Sequence, residues 1–420
     1  MRGLKAEYNN RPVIETNLMI PVEKALKIIL KEVHLKKTEV INIMFSLDRV
    51  LAEDIVSSSD IPPFERSAMD GYAVRSEDIK KAGLKNPVVL KVTADLPAGK
   101  FFKGTVKKGE AVRIMTGAPM PRGANTVVMV EDTESVSDSS VSVFKKVVKR
   151  TNVSNRGEDI KKGEVVLRKG KVIRPAEVGM LSSLGISEVK VYSRPVVSVI
   201  ATGDELVNIN EKLGKGKIRN SNSYSLSSQV IKAGGIPNII GIARDNRKDL
   251  VEKIKKSRDS DILILSGGVS VGIYDLVKKV LLEIGVKSLF WKINIKPGKP
   301  VFFGRKGRQL VFGLPGYPVS SMLTFDLFVR PCILKMYGNK DTYRNIVNAK
   351  LQSKIKRKPG RREYIRAKIK LIDGDYYVNP TGPQGSGILK SLVLADGLII
   401  VPEEVSCMPK GSTVKVILLD

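Results

Sequence analysis

The segment Ser266-Gly267-Gly268-Val269-Ser270-Val271-Gly272 follows an apolar run, Asp261–Leu265, and precedes a helical pattern that begins near Asp275. Glycines between a strand and a helix let backbone N–H groups approach a phosphate, and the helix dipole favours the anion. The segment lacks the Gly-Lys-Ser/Thr of a Walker loop and the spacing of a dinucleotide fingerprint. It reads as an anion cradle or as an ordinary tight turn. Asp275 either caps the helix or holds Mg²⁺ against phosphates in that loop. Thr202-Gly203-Asp204-Glu205-Leu206 follows the run Val196–Ala201, and Asp245 follows Ile236–Ile242. Three strand ends thus each deliver a carboxylate, at Glu205, Asp245 and Asp275, and their convergence says more than any one member. Lys292 and Lys296 are an even number apart, so on one extended strand they share a face and suit an anion. Solvated lysines on an edge strand are the alternative. Leu314-Pro315-Gly316-Tyr317-Pro318 reads as a rigid turn before a helix. Asp70, Thr116 and Asp159 sit in loops (Ser67–Val74, Met115–Pro119 and Arg156–Asp159), where turn chemistry alone could account for each.

Composition narrows the chemistry. The 420 residues carry 72 Lys+Arg against 43 Asp+Glu, a formal net charge of +29. A single histidine, His34, and two cysteines, Cys332 and Cys407, exclude a disulfide framework, a four-thiolate zinc site and multi-imidazole centres. Catalysis must rest on carboxylates, lysines, hydroxyls and backbone dipoles. The basic balance fits a solvated surface or a field that draws in small anionic substrates. A nucleic-acid binder is disfavoured: aromatics are 5% of the chain, and Trp291 is the one tryptophan available for stacking. No run approaches the roughly 20 apolar residues of a membrane span, so no membrane association and a cytoplasmic setting are expected.

The elements that must position these residues follow from hydrophobic period. Val22, Ala25, Leu26, Ile29, Leu30 and Val33 form a helical stripe, and a short helix is expected over Ser46–Glu53. Short β-rich runs alternate with Gly/Pro turns from Val88 to Lys149, and a helix spans Pro175–Leu184. Between 195 and 340, strands alternate with helices, including one strand over Phe290–Ile295 and a helix over Val319–Tyr337. That alternation predicts a parallel sheet covered on both faces, with ligands outside the carboxyl ends of its strands. After Gly338 the pattern returns to β, with turns at Asp373–Gly374 and Thr381–Gly387. The expected fold is multidomain α/β plus β. Its parts are an N-terminal helical linker region (16–60 and 156–194), an inserted β-rich domain (61–155), a central three-layer α/β/α domain (195–340) and a β-rich C-terminal domain (341–420).

Eight segments occur in one order: Pro63-Phe64, Ser67–Arg75, Arg113–Pro121, Arg156–Ile160, Ala201–Leu206, Ser266–Gly272 with Asp275, Phe290–Pro300 and Leu314–Ser320. In this the chain resembles the molybdopterin molybdenumtransferase family, the MoeA type, also found as the E domain of gephyrin. The resemblance implies a molybdopterin-binding-like domain over 195–340 and a homodimer. It places the active site between the β insert of one subunit and the α/β domain of the other. The implied reaction inserts molybdate or tungstate into adenylylated molybdopterin, cleaves the adenylyl phosphoanhydride and releases AMP. Mg²⁺ would be required, and a molybdopterin adenylyltransferase would supply the substrate. Carried over position by position, it marks Asp70, Thr116, Asp159, Glu205, Asp245, Asp275, Lys292, Lys296, Pro315, Pro318 and Ser386. Within that set, Asp275, Glu205 and Asp245 are expected to hold the metal. Ser266, Gly267, Gly268, Ser270 and Gly272, with Pro315, Gly316 and Pro318, would hold substrate. Lys292 and Lys296 would neutralise pterin phosphate or molybdate. Tyr317 departs from the asparagine common in the family's Leu-Pro-Gly-x-Pro turn. The rival readings are a molybdopterin-binding carrier or scaffold without the chemistry, and a molybdopterin adenylyltransferase, against which the extra domains and Ser67–Arg75 argue.

Overall fold

The computed structural model describes residues 19–268 and 276–419. Ser270, Gly272 and Asp275 therefore lie outside the described residues. The chain divides into two compact units, one built mainly from Glu53–Glu188 and the other from the flanking segments, including Val189–Asp420.

In the first unit, strands of alternating or continuous β-branched character form a six-stranded sheet. Its order is Thr126–Met129, Gly71–Val74, Glu110–Ile114, Val88–Leu96, Ser140–Val143 and Thr133–Ser137. Tyr72, Val74, Leu90, Val128 and Val141 pack on Ile79 to make its core. Helix Pro175–Ser183 starts with Pro at its first position and is closed by Glu177, which accepts from the Arg174 backbone at 2.9 Å.

In the second unit, helix Val22–Lys31 buries Val22, Ala25 and Ile29, the stripe expected from its period. The expected helix over Ser46–Glu53 is not formed. Ile43–Phe45 is a single 3₁₀ turn, and Asp48 takes a left-handed conformation (φ 60°) that an α-helix cannot contain. Leu51 then pairs antiparallel with Val191, and Ala52 N–H donates to the Lys190 carbonyl at 2.9 Å.

The α/β part runs β1 (Val196–Thr202), α1 (Asn222–Lys232), β2 (Ile236–Ala243), α2 (Arg247–Lys255), β3 (Ile262–Ser266), α3 (Leu276–Glu283), β4 (Lys287–Lys292), β5 (Pro300–Lys306), β6 (Gln309–Leu314) and α4 (Pro318–Thr324). The sheet order is β2-β1-β3-β6-β5-β4. β2, β1, β3 and β6 are parallel, as their helical connections require. β5 pairs antiparallel with both β6 and β4, so the sheet is mixed where the sequence pattern predicts a parallel one. The cause is local: Gly307-Arg308 makes a two-residue turn with φ 57° at Gly307, so β6 must fold back along β5. Helices α2 and α3 pack together on one face and bury Leu250, Ile254, Val277 and Val280 against Leu263, Leu265 and Phe302. Helix α1 packs with α4. Beyond α4 the chain stays helical through a π turn at Phe325–Val329 and on to Met336. Pro331, which lacks an N–H and crowds the preceding turn, accounts for that widening.

The single strand expected over Phe290–Ile295 is two pieces. β4 ends at Lys292, while Ile295–Lys296 joins the C-terminal sheet beside Arg362–Glu363. That C-terminal sheet is a barrel. Arg362–Ile372, Asp375–Pro380, Ile346–Leu351, Thr413–Leu418 and Gly397–Val401 pair in sequence, and the last closes on the first. The Asp373-Gly374 turn has positive φ at both residues, as its sequence predicts.

Candidate functional site

The four parallel strands point their carboxyl ends one way, and a cavity of about 520 Å³ opens there. β1 ends at Thr202, β3 at Ser266 and β6 at Leu314, and the loops that follow them form its walls. Gly267 N–H donates to the Leu314 carbonyl at 3.0 Å, which ties the β3 and β6 loops together. Glycine is required at this point. Gly267 and Gly268 have φ of 102° and 65°, and a Cβ on either would come within 3.0 Å of Thr202. Ser266 is buried, and its hydroxyl receives a bond from Asn222 Nδ2 at 2.8 Å.

Glu205 and Asp245 both reach this cavity, so two of the three strand-end carboxylates meet where the sequence places them. The Glu205 carboxylate folds back over Gly203, within 2.6 Å of where a Cβ on that residue would stand. Asp245 is fixed by exchange with the β1 loop: Asp204 N–H donates to Asp245 Oδ2 (3.3 Å), and Asp245 N–H donates to Asp204 Oδ1 (3.1 Å). That leaves Asp245 Oδ1 and the Glu205 carboxylate to meet a cation. An all-oxygen donor set of two carboxylates suits Mg²⁺, which keeps several waters and takes further oxygens from phosphates. Among the described residues no group of three or more acidic, histidine or cysteine side chains gathers at metal-binding range. Two carboxylates fit a cation that also takes oxygens from a phosphorylated ligand.

Pro315, Gly316 and Pro318 line the same cavity. Val319 N–H, at the start of α4, donates to the Ser386 carbonyl at 3.1 Å, so Ser386 of the C-terminal segment is brought to this turn through its backbone. Lys292 ends β4 and Lys296 lies on the separate strand Ile295–Lys296, so the two are not on one extended strand, and neither lines this cavity. The Lys296 ammonium lies 2.9 Å from the buried carboxylate of Glu363, which Arg357 also approaches at 3.4 Å.

Asp70, Thr116 and Asp159 belong to the other unit. Asp70 Oδ1 accepts from Thr116 N–H at 2.6 Å and from its hydroxyl at 2.8 Å. These two bonds, the backbone one foremost, hold the Asp70 carboxyl below its ordinary range. Asp159 is exposed, and its N–H donates to the Ile61 carbonyl at 3.0 Å.

Sequence reasoning passed over Asn222. In Asn220-Ser221-Asn222 the Asn220 Oδ1 accepts from Ser223 N–H at 3.1 Å in the first turn, whereas Asn222 turns its amide to Ser266 and Gly316. The repeated asparagine before a helical period was the available signal, since one cap needs only one of them.

Three family profiles match in chain order. Residues 20–185 match "MoeA N-terminal region (domain I and II)", 198–335 match "Probable molybdopterin binding domain" and 348–419 match "MoeA C-terminal region (domain IV)". The chain is 35% identical over 409 residues to the molybdopterin molybdenumtransferase of Staphylococcus aureus, covering 97% of each. It is also 35% identical over 408 residues to that of Staphylococcus epidermidis. A crystal structure of a molybdopterin biosynthesis MoeA protein from Pyrococcus horikoshii superposes with a TM-score of 0.82 at 37% identity, covering 96% of this chain and 100% of that one.

Proposed function

The chain belongs to the molybdopterin molybdenumtransferase family, and from that premise we propose how its residues carry the reaction. It is a transferase of molybdenum cofactor biosynthesis that inserts molybdenum into molybdopterin. The substrates in our reading are adenylylated molybdopterin and molybdate or tungstate. Water adds to phosphorus of the adenylyl phosphoanhydride, the anhydride P–O bond breaks to release AMP and the molybdopterin phosphate, and the oxyanion exchanges oxygens, lost as water, for the two dithiolene sulfurs.

The observation that carries this reading is the pairing of Glu205 and Asp245 with the glycine loop in one cavity. The Gly267–Gly268 backbone approaches the phosphate with no side chain in the way. Glu205 and Asp245 would hold Mg²⁺, with Asp275 as the third candidate ligand. A cation held by these carboxylates would supply positive charge to the phosphoanhydride oxygens. Lys292 and Lys296, the latter ion-paired with Glu363, would meet the oxyanion from outside the cavity. Asp70, kept ionised by Thr116, and Asp159 complete the set in a homodimer, where the β insert of one subunit meets the α/β domain of the other. Positioning and charge stabilisation are what phosphoryl chemistry mainly demands. A cytoplasmic setting and a molybdopterin adenylyltransferase as supplier complete the proposal.

The test is AMP release from adenylylated molybdopterin with Mg²⁺, run with molybdate, with tungstate and with neither. Oxyanion-dependent release is expected, reduced at least about tenfold by Glu205→Gln or Asp245→Asn. Retention of the adenylylated pterin without release would instead mark a carrier.

A further inference from the structure

The cavity is chemically more particular than a phosphate site needs to be. Asn222 Nδ2 donates to Ser266 Oγ at 2.8 Å and to the Gly316 carbonyl at 2.7 Å. A carbonyl only accepts, so the amide can have just one orientation, and both of its N–H bonds are spent. Among the described residues its Oδ1 is buried with no hydrogen-bond partner, and so is Thr202 Oγ1. Asn222 is only 9% exposed, and both residues line the cavity. A buried acceptor left unpaired is unfavourable, and a donor arriving on a ligand would satisfy it.

The peptide that Asn222 grips leads directly into Tyr317. That side chain is 66% exposed and lines the same cavity. Gly316 and Pro318 flank it at the start of α4. Gly387 passes beside the ring: a Cβ there would stand 3.5 Å from ring Cδ1. An open aromatic surface and an unpaired acceptor lining one cavity suit a flat nitrogen heterocycle with an N–H edge.

We infer that Tyr317 is the stacking platform, and Asn222 Oδ1 the edge acceptor, for the fused nitrogen heterocycle of the substrate. The pair sets ring specificity while Glu205 and Asp245 serve the phosphate. This rests on the reading of the cavity as the substrate site. A pterin and an adenine share both planarity and an amino edge, and adenylylated molybdopterin carries one of each.

The experiment is calorimetric titration of the full chain, with Mg²⁺, using AMP in one arm and free pterin in the other. One of the two rings is expected to bind. For that ring, Tyr317→Ala weakens binding about tenfold while Tyr317→Phe stays within about twofold. The deamino analogue of the same ring, which lacks the edge donor, binds wild type about tenfold more weakly. Because Tyr317 is exposed, the melting temperature of Tyr317→Ala without ligand is expected to match wild type. Unchanged affinity for Tyr317→Ala or for the deamino analogue overturns the assignment, as does a lack of binding by either ring. The two readings fail separately. Ring binding without oxyanion-dependent AMP release sinks the insertase chemistry and leaves the platform, whereas AMP release with no ring bound sinks the platform alone.

Discussion

Asp70 shows how a single exposed carboxylate is kept in one state. Its two bonds both come from Thr116, and only one of them depends on the side chain. Thr116→Ala removes the hydroxyl and leaves the backbone donor. The Asp70 carboxyl is therefore expected to titrate higher in the variant, moving toward the ordinary range without reaching it. A carboxyl-carbon NMR titration reads this directly. The acid limb of turnover would rise with it if Asp70 acts ionised. Individual residues were unevenly legible in the sequence. Glu205 and Asp245 were visible because strand ends in this fold class face ligands. The Lys296 pairing was not, because Glu363 is distant in sequence and reaches it only through the barrel.

Among the elements, the end of β3 leads into a glycine pair with no room for a side chain. At Gly268 a methyl group would stand 2.6 Å from Val277 and 2.9 Å from Thr202, with φ at 65°. Gly268→Ala is expected to cost about 1–3 kcal/mol, seen as a lower denaturation midpoint, and to disturb the cavity wall. Helix Pro175–Ser183 carries a pH signature. The Arg174 guanidinium, first among several partners, lowers the Glu177 carboxyl from 4.5 to about 2. A folded value below the unfolded one means stabilisation that is complete above pH 4.5 and is lost as pH falls toward 2. Acid unfolding of Glu177→Gln should show a shallower loss across that window than wild type. Helices and strands of the α/β part were readable because their periods are long and unbroken. The antiparallel edge was not, because it turns on two residues, Gly307 and Arg308. The absent helix at Ser46–Glu53 fails for a similar reason: one left-handed residue, Asp48, outweighs an apolar pattern.

At the scale of the whole molecule, the net charge of +29 sets a field rather than a fold. If that field draws in anionic substrates, the KM for molybdate should rise several-fold as salt goes from about 0.05 to 0.5 M, with kcat little changed. Uncharged osmolyte at matched osmolarity should have no such effect. The α/β character of the segment after Val196 followed from the alternation of strands and helices along the chain. The barrel closure in the C-terminal part needed long-range pairing that no local pattern encodes.

The Leu51–Val191 bridge and the Ala52–Lys190 bond bring the two ends of a long excursion, residues 53–188, side by side. An excursion tied off at its neck is a cassette. Its removal asks the remaining chain to close a gap of one hydrogen bond's width, so a short Gly-Ser joint in its place should leave the Asp261–Leu314 core folded. The same neck permits grafting between relatives, since a foreign insert would have only to match two adjacent stems. A chain arranged this way can exchange one unit without renegotiating the fold of the other.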